Sequence, residues 1–385
     1  MAPLVFLAAG EPSGDALGAR LMAALRRESG GNIRFSGIGG PRMAAEGLSS
    51  LFPMADLAVM GAAEVLPRLP LLLRRISQAV GAIEAEAPAA VVTIDSPGFG
   101  FRVQKRLVPG STRRIHYVAP SVWAWRPKRA KRIARFLDRV LCLLPFEPPY
   151  FEREGLAASF VGHSVVEAGA DRGDGQAFRA RHGLASDAPV LAVLPGSRGS
   201  EVRTLLPVFG ETVAVLARER PRLRIVVPTV PNVTEDVRRA ISTWPGTPIV
   251  VEGVAEKFDA FAASTAALAA SGTVSLELAL AGLPTVIAYR IHPLTHVWVK
   301  PLIKVEYATL ANIVLGREAV PEFIQARCRA RLLAPAVARL LDDSSARAAQ
   351  IAAVREAIAR LGAGGVLPSV RAARVILEEL ETRGG

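Results

Sequence analysis

Two short stretches carry residue types suited to a phosphorylated ligand. In residues 269–289, AASGTVSLELALAGLPTVIAY, a Ser271-Gly272-Thr273 turn precedes an apolar helical run, so backbone N–H groups gather where an anion can sit. Glu277 lies one turn further in, where its charge opposes a bound phosphate. A ligand with both phosphates and a vicinal diol reconciles the two: phosphates meet the amides while ribose hydroxyls donate to Glu277. A nucleoside diphosphate has that form; the alternative is a first-turn acid favoured by the helix dipole on a solvated face. The second stretch, LPGSRGSE, ends a strand at Leu194, and Gly196, Ser197 and Gly199 open a helix beside Arg198. Such a turn brings backbone donors close to phosphate, and a guanidinium adds a bidentate clamp. The lysine and spacing of a P-loop are missing, which argues against ATP hydrolysis. An exposed arginine on a tight turn is the competing reading.

Three further clusters invite chemistry. Asp95 in VVTIDSPGFG ends an apolar strand, where a carboxylate raised in pKa by burial takes a proton from an attacking hydroxyl. Against this, Ser96 with Pro97 behind it reads as an ordinary helix start. GEPSGD places Glu11, Ser13, Gly14 and Asp15 after the first strand, either lining a site or capping a helix. SVWAWRPKRAKRIAR sets Trp123 and Trp125 beside Arg126, Lys128, Arg129, Lys131 and Arg132, suited to RNA stacking, an anionic membrane surface, or merely a solvated helix face. The stretch LAVMGAAEVLPRLPLLLRRI is apolar enough to meet a bilayer or an acyl chain, and Pro67 and Pro70 predict that it is not one continuous helix. Within it and beyond, Leu72, Ile76, Val80 and Ile83 form a helical stripe expected in the core. The five histidines form no ligand set and no Asp-x-Asp pair is present, so a metal is not expected.

The elements that position these residues alternate strand, Gly-rich turn and helix along all 385 residues, which predicts parallel sheets with crossover helices. The pattern restarts after the polar stretch DRGDGQAFRARHGLASDAP. Two doubly wound halves joined near residues 164–175 follow, with ligand at the carboxyl ends of strands facing an interdomain cleft. The expected units are 1–166, 167–344 and an Ala/Arg-rich helical tail, 345–385. Half the residues are apolar, mean hydropathy is +0.29, and no run of eighteen apolar residues predicts a membrane span. MAPLVFLAAG reads as a first strand rather than a signal peptide. Cys142 and Cys328 lie too far apart in sequence to build a disulfide framework, as suits a reducing cytoplasm. The net charge of +12 points to an anionic partner: nucleic acid, lipid or phosphorylated substrate.

Read in order, AGEPSGDALGA, GIGGPRM, VMGAAEVL, IDSPGF, HYVAPSVWAWRPKR, LPFEPPYFEREGL, FVGHS, LPGSRGSEV, SGTVSLELALAGLPTVIAYR and LANIVLGREAVPEFIQ resemble the lipid-A-disaccharide synthase family over nearly the whole chain. The resemblance implies a GT-B fold, two Rossmann-like domains with a carboxyl-terminal tail crossing back to the first. It implies an inverting transfer from UDP-2,3-diacylglucosamine to 2,3-diacylglucosamine 1-phosphate at an anionic inner-membrane surface, peripherally and on its cytoplasmic face, with no metal, cofactor or nucleic acid. Residue by residue, it puts Gly196, Ser197, Arg198, Ser271–Thr273 and Glu277 on UDP and Asn312 near the diphosphate or sugar. Asp95 becomes the base, with Arg198 and Asn312 beside the reaction. Glu11, Ser13, Gly14, Asp15, Met60, Val65, Leu66, Trp123, Trp125 and Arg126 fall on the acceptor and lipid side. The chain departs from the family where Gly98 and Gly100 replace a polar pair after Asp95, and where Ser164 replaces a proline. Other GT-B enzymes acting on UDP-N-acetylglucosamine share the phosphate logic without needing SVWAWRPKR. A basic, non-catalytic RNA- or membrane-binding protein leaves Asp95, Glu277 and Asn312 without work.

Overall fold

A computed structural model describes residues 2–57, 62–108, 110, 112–125, 128–290 and 306–382; for 62–66 and Trp125 it describes the backbone alone. Met60 and Arg126, and the side chains of Val65, Leu66 and Trp125, therefore lie outside the described residues.

The strands of the first unit are β1 (Leu4–Ala9), β2 (Arg34–Ile38), β3 (Ala90–Ile94), β4 (Arg113–Tyr117), β5 (Arg139–Cys142) and β6 (Ala157–Phe160). A second set follows: β7 (Val190–Leu194), β8 (Arg224–Thr229), β9 (Ile249–Glu252), β10 (Ala266–Ala270), β11 (Thr285–Tyr289) and β12 (Glu322–Ile324). They form two parallel six-stranded sheets, ordered β2-β1-β3-β4-β5-β6 and β12-β11-β10-β7-β8-β9. The chain divides into two compact units, 1–164 with 364–385, and 165–363. Central strands such as β3, β7 and β10 are buried along their whole length, which explains their unbroken apolar runs.

In the first unit the helices are α1 (Pro12–Glu28), α2 (Pro41–Ala45), α3 (Ala62–Glu86), α4 (Pro97–Arg106), α5 (Val122–Trp125), α6 (Lys128–Ile133) and α7 (Pro148–Glu152). Ile76, Ala79 and Ile83 on α3 pack with Phe6, Ala8 and Val91 of the sheet, with Leu72 and Val80 at their edge, as the sequence stripe predicts. The expected break does not occur: α3 is one 25-residue helix with Pro67 and Pro70 inside it. Residues 67–70 are all exposed, and the later turns, anchored by Ile76, Ala79 and Ile83, carry the helix.

In the second unit lie α8 (Gly175–Arg181), α9 (Gly199–Glu219), α10 (Thr234–Ile241), α11 (Val254–Ala263), α12 (Val274–Leu280), α13 (Leu310–Leu315), α14 (Ala330–Asp342) and α15 (Ser344–Arg360). The tail does not behave as one piece. Its first helix, α15, stays with the second unit, because Gln350 bonds Thr285 N at 2.5 Å and Thr285 O at 3.1 Å like an added strand residue. The last helix, α16 (Pro368–Glu381), belongs to the first unit, where Val370, Ala373 and Ile376 enter the core beside α1. Glu379 there binds Arg113 and Arg139, and Arg374 binds Glu28.

Candidate active site

Each sheet winds outward in both directions from a central pair of strands, β1 and β3 in one unit, β7 and β10 in the other. The carboxyl end of such a pair is the switch point where doubly wound folds bind ligands, because the crossovers diverge and leave a crevice.

At the second switch point, Gly196 turns the chain after β7 with φ +109°, and a Cβ there would stand 2.8 Å from Glu201 Oε2. Only glycine suits both constraints. Asn232 Nδ2 donates to Ser197 O at 2.8 Å and pins the turn. Arg198 occupies the N-cap position of α9, its side chain 63% exposed and paired with Glu201 at 3.0 Å. After β10, Ser275 bonds Gly272 O through both Oγ and N, at 2.7 and 3.0 Å, and so tightens the Ser271–Thr273 turn. Among the described residues, the N–H groups of Gly272, Thr273 and Val274 have no protein acceptor. Both turns open on one cavity of about 320 Å3, lined also by Thr229, Lys257 and Glu277.

Two of these lining residues carry no local sequence signal. Lys257, on α11, donates to Glu277 Oε2 at 2.7 Å and neutralises a carboxylate that would otherwise oppose a bound phosphate. Thr229 ends β8 with its Oγ1 buried and without a partner among the described residues. The arrangement offers two cations, three amides and two carboxylates, Glu201 and Glu277, around a space the size of a small ligand.

Asn312 does not line this cavity. It is fully buried on α13, donating to Val320 O and Glu322 Oε1 at 2.8 Å and accepting from Ala319 N and Val320 N at 2.8 and 2.9 Å. All four positions of the amide are used, so it has none left for a diphosphate or sugar. Its partner Glu322 also accepts from Ala308 N, Thr309 N and Thr309 Oγ1, and Ala308 O in turn accepts from Ser271 Oγ at 3.3 Å. Asn312 thus supports the loop behind the Ser271 turn rather than touching what binds in front of it.

At the first switch point, Asp95 follows β3 with φ +52°, and Ser96 with φ +42°. Two successive left-handed non-glycine residues cost about 1–3 kcal/mol each, a strain typical of sites that hold a side chain where function needs it. Ser96 takes the N-cap position of α4, ahead of Pro97, without a capping bond from its hydroxyl. Asp95 is half-buried; Oδ2 accepts from Ser13 Oγ at 3.1 Å and Oδ1 from Ser96 N at 2.9 Å. Gly14 lets α1 approach this edge, since a Cβ there would lie 3.2 Å from Ile94 O. Glu11 precedes α1 at its N-cap position.

Asp15, expected on the acceptor side, is instead 3% exposed and accepts from Gly40 N, Arg42 N and Met43 N at 2.8–3.0 Å. Its carboxylate caps the otherwise unsatisfied start of α2, so it builds the fold and does not face a ligand. Gly100 is buried against Thr93, where a Cβ would lie 2.9 Å from that residue's Cβ, and Gly98 is exposed. His116 sits under this edge, fully buried, with Nδ1 2.8 Å from Thr93 Oγ1 and its ring 4.5 Å from Phe101. Burial, aided by Arg129, pushes its pKa down to about 3, and burial pushes that of His163 down to about 4. Neither imidazole is charged at neutral pH. His292 and His296 lie outside the described residues, and no metal-binding cluster occurs among the described ones.

Comparison with known proteins agrees with this architecture. A family model described as lipid-A-disaccharide synthetase matches residues 5–365. The lipid-A-disaccharide synthase of Rhodospirillum centenum is 59% identical over 99% of this chain and 95% of its own length. That of Paramagnetospirillum magneticum is 52% identical over 97% of both. Among solved structures, the UDP-GlcNAc 2-epimerase of Neisseria meningitidis bound to UDP-GlcNAc superposes with a TM-score of 0.63 over 98% of this chain and 99% of its own, at 11% identity. Acinetobacter baumannii MurG gives 0.57 over 97% and 99%, at 14% identity. These distant matches show the GT-B fold, and the close relatives carry the function. The chain therefore belongs to the lipid-A-disaccharide synthase family, glycosyltransferases of lipid A biosynthesis.

Proposed function

We propose that this chain transfers the diacylglucosaminyl group of UDP-2,3-diacylglucosamine to O6 of 2,3-diacylglucosamine 1-phosphate, with inversion, releasing UDP. The observation that carries this reading is the convergence of Arg198, the Ser271–Thr273 turn and Glu277 on one cavity. The diphosphate would lie against Arg198 and the amides of Gly272, Thr273 and Val274, and the ribose hydroxyls would donate to Glu277. Asp95, held by Ser13, would accept the proton of the acceptor 6-hydroxyl as that oxygen attacks C1 from the face opposite UDP. The C1–O bond to UDP breaks as the new bond forms, and the leaving negative charge is met by preorganised donors rather than by a metal. Arg198 and Lys257 each exchange a carboxylate partner for phosphate or ribose as the nucleotide enters.

Both substrates carry acyl chains. On α3, Leu69 and Leu73 are exposed beside Arg68 and Arg74, a pattern that supports peripheral contact with an anionic leaflet. No helix among the described residues is long and apolar enough to cross a membrane. Incubation with both acylated sugars, with and without EDTA, tests the proposal. UDP release that needs both lipids and ignores chelation supports it. Release without acceptor, or loss on chelation, contradicts it.

A further inference from the structure

The segment LPFEPPYFEREGL has no role in the reaction as described, yet it contains one of the most thoroughly buried carboxylates of the first unit. Glu147 is 2% exposed and sits between β5 and α7, its backbone fixed by Pro148 and Pro149 behind it. Its Oε2 accepts from Leu143 N at 3.1 Å and Leu144 N at 3.0 Å, closing the turn after β5. Its Oε1 accepts from the indole Nε1 of Trp123 at 3.0 Å, across 24 residues of sequence. The ring of Phe146 meets the same indole edge-on, with centroids 5.1 Å apart and planes at 86°. One side chain thus joins a β-turn to α5, the helix of the SVWAWR segment.

We infer that Glu147 is a positioning residue for acceptor binding, fixing Trp123 through its indole N–H so that α5 presents one surface to the acylated acceptor. The inference rests on the reading of Trp123 as an acceptor-side residue. A buried acceptor for three N–H donors is costly to keep unless its orientation matters, because desolvation works against the carboxylate. Consistent with that, burial pushes the pKa of Glu147 up to about 7 despite its three donors. Glutamine cannot replace it. An amide presents one acceptor and one donor end, so it fails either Trp123 or the two backbone N–H groups.

The test measures KM separately for 2,3-diacylglucosamine 1-phosphate and UDP-2,3-diacylglucosamine in Glu147→Gln, Trp123→Phe and the double variant. The expected result is an acceptor KM raised about tenfold or more in each single variant, as loss of a hydrogen bond to a charged group implies. The donor KM stays within about twofold, and the double variant is no worse than the worse single, since phenylalanine removes the donor that glutamine leaves unmet. Indole N–H resonances of 15N-tryptophan-labelled protein supply the structural control: one peak shifts in Glu147→Gln and is the peak missing in Trp123→Phe. An acceptor KM raised by Trp123→Phe but not by Glu147→Gln overturns the inference while leaving the acceptor reading standing. No change with Trp123→Phe overturns both. Effects that multiply in the double variant, or an equal fall in kcat with both substrates, also overturn it.

Discussion

The two switch points share a topology and differ in how their turns are built. In the second unit the turns after β7 and β10 are relaxed around a cavity, glycine is used where φ is positive, and charge is stored in two ion pairs. In the first unit the turn after β3 is strained, non-glycine residues sit at positive φ, and a single carboxylate is held up by one hydroxyl and one amide. On the proposed reading, the second turn pair receives a large ligand through exchangeable partners, and the first fixes the direction of one proton-accepting group at the expense of backbone strain.

If that contrast is right, the largest effects belong to the strained side. Asp95→Asn keeps a residue that tolerates the left-handed backbone and the bond from Ser13, but removes the base. It is expected to lower kcat by about 10²–10⁴-fold with UDP affinity and melting temperature nearly unchanged. A retained rate assigns Asp95 to architecture alone. On the relaxed side, Arg198→Ala is expected to lower kcat by about 10²–10³-fold, as removal of one preorganised donor to a developing charge does. An effect on KM alone would make Arg198 a uniform binding contact. Glu277→Gln removes the partner of Lys257 and one ribose acceptor together. It is expected to raise donor KM about tenfold with kcat little changed, read from initial rates against donor concentration.

The effect furthest from the reaction is a pH dependence confined to the first unit. Glu147 has its pKa raised by burial from 4.5 to about 7, so the folded chain binds a proton there more tightly than the unfolded chain. Its contribution to stability is fully present below pH 4.5 and is lost as pH rises through about 7. Unfolding free energy should therefore fall more across this window in the wild type than in Glu147→Gln, by at most about 3 kcal/mol, and melting curves at several pH values read the difference. The neighbouring Cys142 thiol, pushed far up by burial and by Glu147 and Glu152, stays neutral throughout. Parallel curves for the two proteins remove this group from the account.

The sequence carried the second site more fully than the first. Gly196, Arg198 and the Ser271–Thr273 turn stand in local strand–turn–helix patterns, and the structure brings them to one cavity. Lys257 and Thr229 carry no such signal, since one reaches the cavity from the crossover helix α11 and the other from the end of β8, and neither stands in a local pattern. Asp15 and Asn312 misled for one shared reason. A polar residue in a motif has the same letter whether it faces a ligand or completes a buried network, and only the count of satisfied hydrogen bonds separates the cases. The paired sheets followed from periodicity, but the short, mostly half-exposed strands β2, β6 and β12 lacked the apolar runs that marked their neighbours. The division of the tail rests on Gln350 pairing with β11, a long-range contact without local trace. The persistence of α3 through two prolines depended on where its later turns are anchored.

The central claim is that nucleotide charge is received at the relaxed switch point by peptide amides and a guanidinium. A crystal structure of the chain soaked with UDP in the presence of EDTA tests it most directly. The account predicts the diphosphate within hydrogen-bonding distance of Arg198 and the N–H groups of Gly272 and Thr273, with the ribose on Glu277. UDP bound elsewhere, or bound there only when a divalent cation is restored, contradicts it.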